Sequence, residues 1–249
     1  MKAILSDVHG NLEALEAVLV DAKHNGADEF VCLGDLVGYG PDPIPCIEEV
    51  MSWQIVLMGN HDHAAISDDD LSGWTAGAAR RTILNFRRSL INEGKQEVGQ
   101  FLASRPTSHV SEAFYVHGTP HDHLHEYLFP EDIYNQKKMD AVSKCFDAVC
   151  FCGHTHIPGI FVQRKPDTWD YFSSAETQDR VILGNQRIIC NVGSVGQPRD
   201  DEPRASYVLF DGSEIRFRRV EYDVERTIAK IRADDDFDDL LGDRLGEGR

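Results

Sequence analysis

Five times along this chain a short apolar run stops at residues that can bind metal, with glycine beside them. Lys2–Ser6 runs into Asp7-Val8-His9-Gly10, Glu29–Leu33 into Gly34-Asp35, and Gln54–Met58 into Gly59-Asn60-His61-Asp62. Ala113–Val116 runs into His117-Gly118, and Asp147–Cys152 into Gly153-His154-Thr155-His156. Apolar runs this short, bounded by turn residues, read as strands buried on both faces. The first stretch between them is helical: Asn11 is an N-cap, Leu12, Leu15, Val18 and Leu19 share a face, and Gly26 is a stop. Gly38–Pro45 is a Gly/Pro-rich loop and Ile44–Ser52 a short helix, so the first third is βαβαβ. Such alternation predicts a layered α/β fold, with ligands gathered beyond the carboxyl ends of the strands.

Further along, residues 74–93 and 95–104 read as helices that break at Pro106, and Lys137–Phe146 as another. From 159 the pattern changes to short strands between turns, at 159–163, 180–183, 187–192, 205–210 and 214–220. These are expected to run antiparallel and complete a second sheet. Tyr222–Ala233 is a last helix, and 234–249, rich in aspartate and glycine, is expected to be a disordered acidic tail. With no repeat and no linker, residues 1–233 are read as a single domain.

The net charge of −17 makes long nucleic acid a poor partner. Bound divalent cations would nonetheless make a pocket locally positive and attract a small phosphate ester. No apolar run approaches the ~20 residues of a membrane span. Asp7 stands too early for a signal-peptide core, so a cytoplasmic location is expected. The six cysteines form no C-x-x-C pair and are expected as small buried hydrophobes.

Taken singly, Asp-x-His and Gly-Asp are ordinary loop sequences. Five such strand endings together bring carboxylate, imidazole and amide donors to one crevice, the ligand set of borderline divalent metals. The ordered blocks D-x-H, G-D, G-N-H-D, H and G-H-x-H resemble the signature of the calcineurin-like metallophosphoesterase superfamily. Asn191-Val192-Gly193-Ser194-Val195-Gly196 resembles a later stretch of its compact bacterial and archaeal members.

The resemblance implies a four-layer α-β-β-α sandwich with two mixed sheets and the metal site at the strand C-terminal edge. It implies two divalent ions (Mn, Fe, Zn or Ni). Asp7, His9, Asp35 and His156 would hold one; Asp35, Asn60, His117 and His154 would hold the other, with Asp35 bridging. It places His61 outside the ligand set, facing the phosphate. Two such ions acidify a shared water, and the resulting hydroxide attacks phosphorus in line. Imidazole titrates near working pH, so His61 suits proton transfer to the leaving oxygen, and Asp62 either orients it or is a solvated turn residue. Arg199, with Arg204 as a competitor, suits a phosphate clamp. His121, in the His-rich 121–125 loop, either lines the substrate pocket or is simply exposed.

The expected activity is phosphodiester hydrolysis, with phosphomonoesters or dinucleoside polyphosphates as alternative substrates. A non-catalytic metal-binding scaffold is the rival from another class. Loops 36–45, 118–136, 164–180 and 196–204 would set specificity, which a fold does not determine. Nothing in the sequence determines an oligomeric state.

Overall fold

The N-terminal run Lys2–Leu5 forms β1, and strand alternation sends its side chains to two different cores: Ala3 and Leu5 outward, Ile4 inward. The same rule operates in all the central strands of the computed structural model, which describes residues 1–67, 71, 74 and 77–249. After β1 come α1 (Leu12–His24), β2 (Glu29–Cys32), α2 (Pro43–Val50), β3 (Ile55–Val56), α3 (Asn60–Ile66), α4 (Ala78–Asn92) and α5 (Gln96–Ala103). Next are β4 (Ser108–Val110), β5 (Phe114–Val116), α6 (Gln136–Ser143), β6 (Val149–Cys152), β7 (Gly159–Lys165) and β8 (Thr168–Ser173). The chain ends with β9 (Arg180–Ile182), β10 (Ile188–Asn191), β11 (Ala205–Phe210), β12 (Glu214–Val220), α7 (Val224–Arg232) and α8 (Asp239–Glu247). Of the helix expected at 74–93, residues 75 and 76 lie outside the described residues.

Two six-stranded mixed sheets result, ordered β3-β2-β1-β11-β12-β9 and β4-β5-β6-β10-β7-β8. They pack face to face through Ile4, Val31, Leu57 and Val208 from one sheet and Tyr115, Phe151, Ile160 and Cys190 from the other. Helices α1, α2 and α5 cover the outer face of the first sheet, where Leu15, Ile47 and Leu102 join the core around Leu5 and Cys32. Met139 and Val142 of α6 cover Cys150, Cys152 and Ile189 on the outer face of the second. The four layers anticipated from the sequence are present. Burial of one large apolar side chain contributes about 1.5–3 kcal/mol, so three extended cores hold the sandwich together. Five of the six cysteines are buried, while Cys145 is exposed.

Three expectations are corrected. The late strands do not complete one sheet: β7 and β10 join the second, with β10 parallel to β6, whereas β9, β11 and β12 extend the first. The crossing between sheets is made at residues 192–196, where Val195 N–H donates to Ser6 O (3.0 Å) and Val192 N–H to Cys152 O (2.9 Å). Alternation reveals which face a residue occupies but not which strand is its neighbour. The supposed loop at 164–180 contains β8, which pairs with β7 at the edge of its sheet and buries Trp169.

The acidic tail is not disordered throughout. Leu241 and Leu245 of α8 pack on Ile228 and Ile231 of α7. Its aspartates find distant arginines: Arg81–Asp238 at 2.6 Å, Arg88–Asp236 at 2.9 Å and Arg232–Asp243 at 2.8 Å. Leu241→Ala is expected to cost about 2 kcal/mol or more of unfolding free energy, as cavity-forming substitutions do. Urea denaturation at unchanged m-value checks this, and a loss below about 0.5 kcal/mol would show that α8 contributes little.

Candidate metal centre

Beyond the sheet edge the loops after β1 and β2 run side by side. Asp7 N–H donates to Gly34 O (3.0 Å) and His9 N–H to Asp35 O (2.9 Å). In the second sheet Gly153 N–H donates to His117 O (3.0 Å), and His154 N–H crosses to Asp7 Oδ2 (2.9 Å). Strand endings far apart in the chain thereby share one pocket, with Asp7, His9, Asp35, His117, His154 and His156 all buried and Asn60 half-buried.

The backbone is strained at this point. Asp7 (φ +56°), His9 (+48°), Asp35 (+55°), His154 (+68°) and His156 (+63°) all lie in the left-handed region. Each such residue costs of order 1 kcal/mol and persists only where the surroundings over-determine it, as at functional sites. Gly59 is required for space and not for its backbone angle, since any Cβ there would overlap the Asp35 carboxylate.

Among the described residues three donor groups emerge: Asp7/His9/His156, Asp35/His117/His154 and His9/Asp35/His61. Their hydrogen bonds decide which atoms are free. His9 Nδ1 lies 2.8 Å from Val37 O, and His156 Nδ1 2.5 Å from Gln197 O. A carbonyl only accepts, so both Nδ1 atoms carry the proton and both Nε2 atoms present bare lone pairs. These two Nε2 atoms face each other at 3.2 Å. Asp7 Oδ1 lies 3.2 Å from His156 Nε2, and no donor satisfies it. Three lone pairs converging in a buried space repel one another unless a cation lies among them.

The second group follows the same logic. His154 Nε2 donates to His125 O (3.4 Å), which leaves Nδ1 bare and 3.1 Å from His117 Nε2. Asn60 Oδ1 is 3.0 Å from that same His117 nitrogen, and Asp35 Oδ2 is 3.4 Å from it. Asp35 Oδ2 is also 3.6 Å from His9 Nε2, so one carboxylate oxygen stands between the groups. Its other oxygen accepts from His61 N–H (2.8 Å).

Charge states suit cation binding. Burial pushes the Asp7 and Asp35 carboxyls up, but neighbouring imidazoles outweigh it and hold both well below the usual carboxylate range. Burial lowers the pKa of His9 and His156, and takes His154 down to about 3 and His61 to about 4. His117 is the exception: it goes up, to about 9, because the Asp35 charge beside it overcomes burial, so it must release a proton before its Nε2 can ligate a cation. Neutral imidazole and ionised carboxylate are the forms that ligate metal.

Other expected site residues fare differently. His61 is buried against Trp74 (ring centroids 4.6 Å apart), His9 (4.8 Å) and Tyr39 (4.9 Å). Asp62 neither orients its imidazole nor lies in a solvated turn. It is buried, and its oxygens accept from Leu36 N–H (2.9 Å), Val37 N–H (3.1 Å) and Gly59 N–H (3.1 Å). Both carboxylate oxygens are occupied in pinning the backbone that carries Asp35 and Val37. Arg199 reaches the site: Nη2 donates to Tyr39 Oη (3.2 Å) and Gln197 Oε1 (2.9 Å). Arg204 does not compete, being held by Glu202 at 2.9 and 2.8 Å. His121 is 55% exposed beside Glu126 and belongs to none of the donor groups. Tyr39, Trp74, Tyr127 and the Val37, Gln197 and His125 carbonyls were not anticipated. Tyr39 sits in the Gly-rich loop after Asp35, which offered a signal, whereas a carbonyl can come from any residue and offered none.

Comparison with known proteins agrees with this geometry. The calcineurin-like phosphoesterase superfamily domain matches residues 1–214. The uncharacterized protein MJ0912 of Methanocaldococcus jannaschii is 33% identical over 261 aligned residues, covering 100% of this chain and 98% of that protein. The crystal structure of a metallophosphoesterase from Sphaerobacter thermophilus superposes with a TM-score of 0.82 at 34% identity, covering 100% and 98% of the two chains. The hypothetical protein PH1004 of Pyrococcus horikoshii shares the fold at a TM-score of 0.74 and 19% identity, over 100% and 99%. Among the described residues no helix is long and apolar enough to cross a membrane. With its domain match spanning most of the chain and its buried donors arranged for metal, this chain belongs to the calcineurin-like phosphoesterase superfamily and is a metallophosphoesterase, a hydrolase of phosphoric esters.

Proposed function

We propose that this metallophosphoesterase cleaves small phosphodiesters with two divalent cations, one held by Asp7, His9, Asp35 and His156 and the other by Asp35, Asn60, His117 and His154. The observation that carries the reading is Asp35 Oδ2, poised between His9 Nε2 (3.6 Å) and His117 Nε2 (3.4 Å) where one oxygen can serve both groups. Bound there, the cation pair supplies Lewis acidity and brings the pKa of water towards neutrality. The chain's own residues do the rest. His61, kept neutral by burial, donates an N–H hydrogen bond to a phosphoryl oxygen and stabilises the charge that builds there; with no spare proton near neutral pH, it does not protonate the leaving oxygen. Arg199, whose charge acts on both His61 and His156, pairs with a non-bridging oxygen. Asp62 holds the loop on which these groups depend.

The test is metal-depleted protein reconstituted with Mn, Fe, Zn or Ni and offered diesters, monoesters and dinucleoside polyphosphates. Diester turnover is expected to dominate, to vanish with chelator and to return with metal. A preference for monoesters or dinucleoside polyphosphates overturns the diesterase reading, and full metal loading without any turnover favours the scaffold.

A further inference from the structure

Leu128 is buried in the core beside Val116 and Cys152, and strand-like alternation turns its neighbours Tyr127 and Phe129 the other way. Both remain partly open to water, at 40% and 37% exposure. Their rings are nearly parallel, 12° apart with centroids at 5.4 Å, and the Tyr127 ring lies on the His154 imidazole at 3.8 Å and 14°. Three near-parallel rings thus form a staircase whose lowest step is a candidate metal ligand and whose upper steps face solvent.

The staircase is held rigidly. Gly118 N–H donates to His123 O (2.8 Å), Thr119 N–H to Asp122 O (2.9 Å), and His154 Nε2 to His125 O (3.4 Å), which folds the 118–129 loop back over the second sheet. Phe129 N–H donates to Asp132 Oδ2 (2.8 Å), which anchors the far end.

We infer that Tyr127 and Phe129 form a stacking shelf for a planar aromatic group carried by the substrate, which makes the preferred ester one of a nucleoside or an aryl alcohol. This rests on the phosphate position proposed above, because the shelf begins at His154. Fixed parallel rings bind any base or aryl face with little ordering cost, and stacking on a protein aromatic is tolerant of base identity. The net charge of −17 limits the ligand to a small ester and not a strand of nucleic acid.

The experiment measures binding of adenosine monophosphate and ribose 5-phosphate, alike in phosphate and sugar but differing in the base, to metal-loaded protein by calorimetry. Adenosine monophosphate is expected to bind about tenfold tighter or more, the usual worth of one stacked base. In Phe129→Ala that advantage is expected to shrink severalfold, and in Phe129→Trp to return. Phenyl phosphate against methyl phosphate distinguishes the sources: an equal advantage identifies any aryl face as the ligand, its absence a nucleobase. Equal binding of the two nucleotide probes by the parent, or an advantage that survives in Phe129→Ala, overturns the shelf. Turnover is read separately, and a parent that discriminates the base yet cleaves no diester refutes the activity and not the shelf.

Discussion

Asp35→Asn is expected to lower bound metal from the two proposed ions to one or none per chain and to abolish turnover. Asp35 Oδ2 stands 3.6 Å from His9 Nε2 and 3.4 Å from His117 Nε2, and a neutral amide satisfies two cations poorly. Loss of groups that merely support metal ligands costs about 10–100-fold in affinity or activity, so loss of a shared ligand is expected to exceed that. The Asp35 carboxyl is held well below the ordinary range by its imidazole neighbours, so its charge stabilises the metal-free fold. The metal-free variant is therefore expected to melt somewhat lower than the parent; the readout is the rise on adding metal. Binding to the folded state stabilises by mass action, and the parent's melting temperature should therefore rise on adding metal much more than the variant's. Elemental analysis, thermal melts and initial rates check each part. Two ions retained with an unchanged rate would exclude Asp35 as the shared ligand.

His61→Ala is expected to separate chemistry from metal binding: both ions stay, and turnover falls about a hundredfold or more, the worth of a hydrogen-bond donor positioned at the oxygen where charge develops. The alternative is concrete, since His61 forms a donor group with His9 and Asp35. Loss of one ion in the variant would make it a ligand. Gly38→Ala provides a second route to the same answer. Gly38 has φ +97°, and a Cβ there would overlap His61 Nδ1, so even a methyl group forces the imidazole to move. The two variants should share a lowered turnover number with metal content intact. Normal turnover in Gly38→Ala would mean that the position of the His61 ring does not matter.

Much of the candidate centre was legible because each donor stands at the end of an apolar run. Strand recognition and a rule about strand ends located the five motifs, and the family resemblance singled out Asp7, His9, Asp35, Asn60, His117, His154 and His156 within them. What lay hidden was of a different kind. Asp62 looked like a partner for the adjacent His61 ring, yet its oxygens accept three backbone N–H groups, two of them from residues 36 and 37. His121 stands in a histidine-rich loop, but that loop contributes through the carbonyl of His125 and the ring of Tyr127. Aspartate runs in the tail suggested disorder, while Leu241 and Leu245, four apart on α8, found apolar partners on α7.

By itself the sequence determined the layered α/β pattern and the residue types gathered at the strand ends. Both follow from local order: alternation places a residue on a face, and a glycine-flanked strand end exposes the next side chain. Tertiary structure decided which strands share a sheet, which imidazole nitrogens are bare and which aromatic rings border the site. Those depend on carbonyls and ring planes brought together from distant parts of the chain, as when Gln197 O sets the tautomer of His156. Such contacts have no residue-type signature, because every residue carries a carbonyl and any ring can stack.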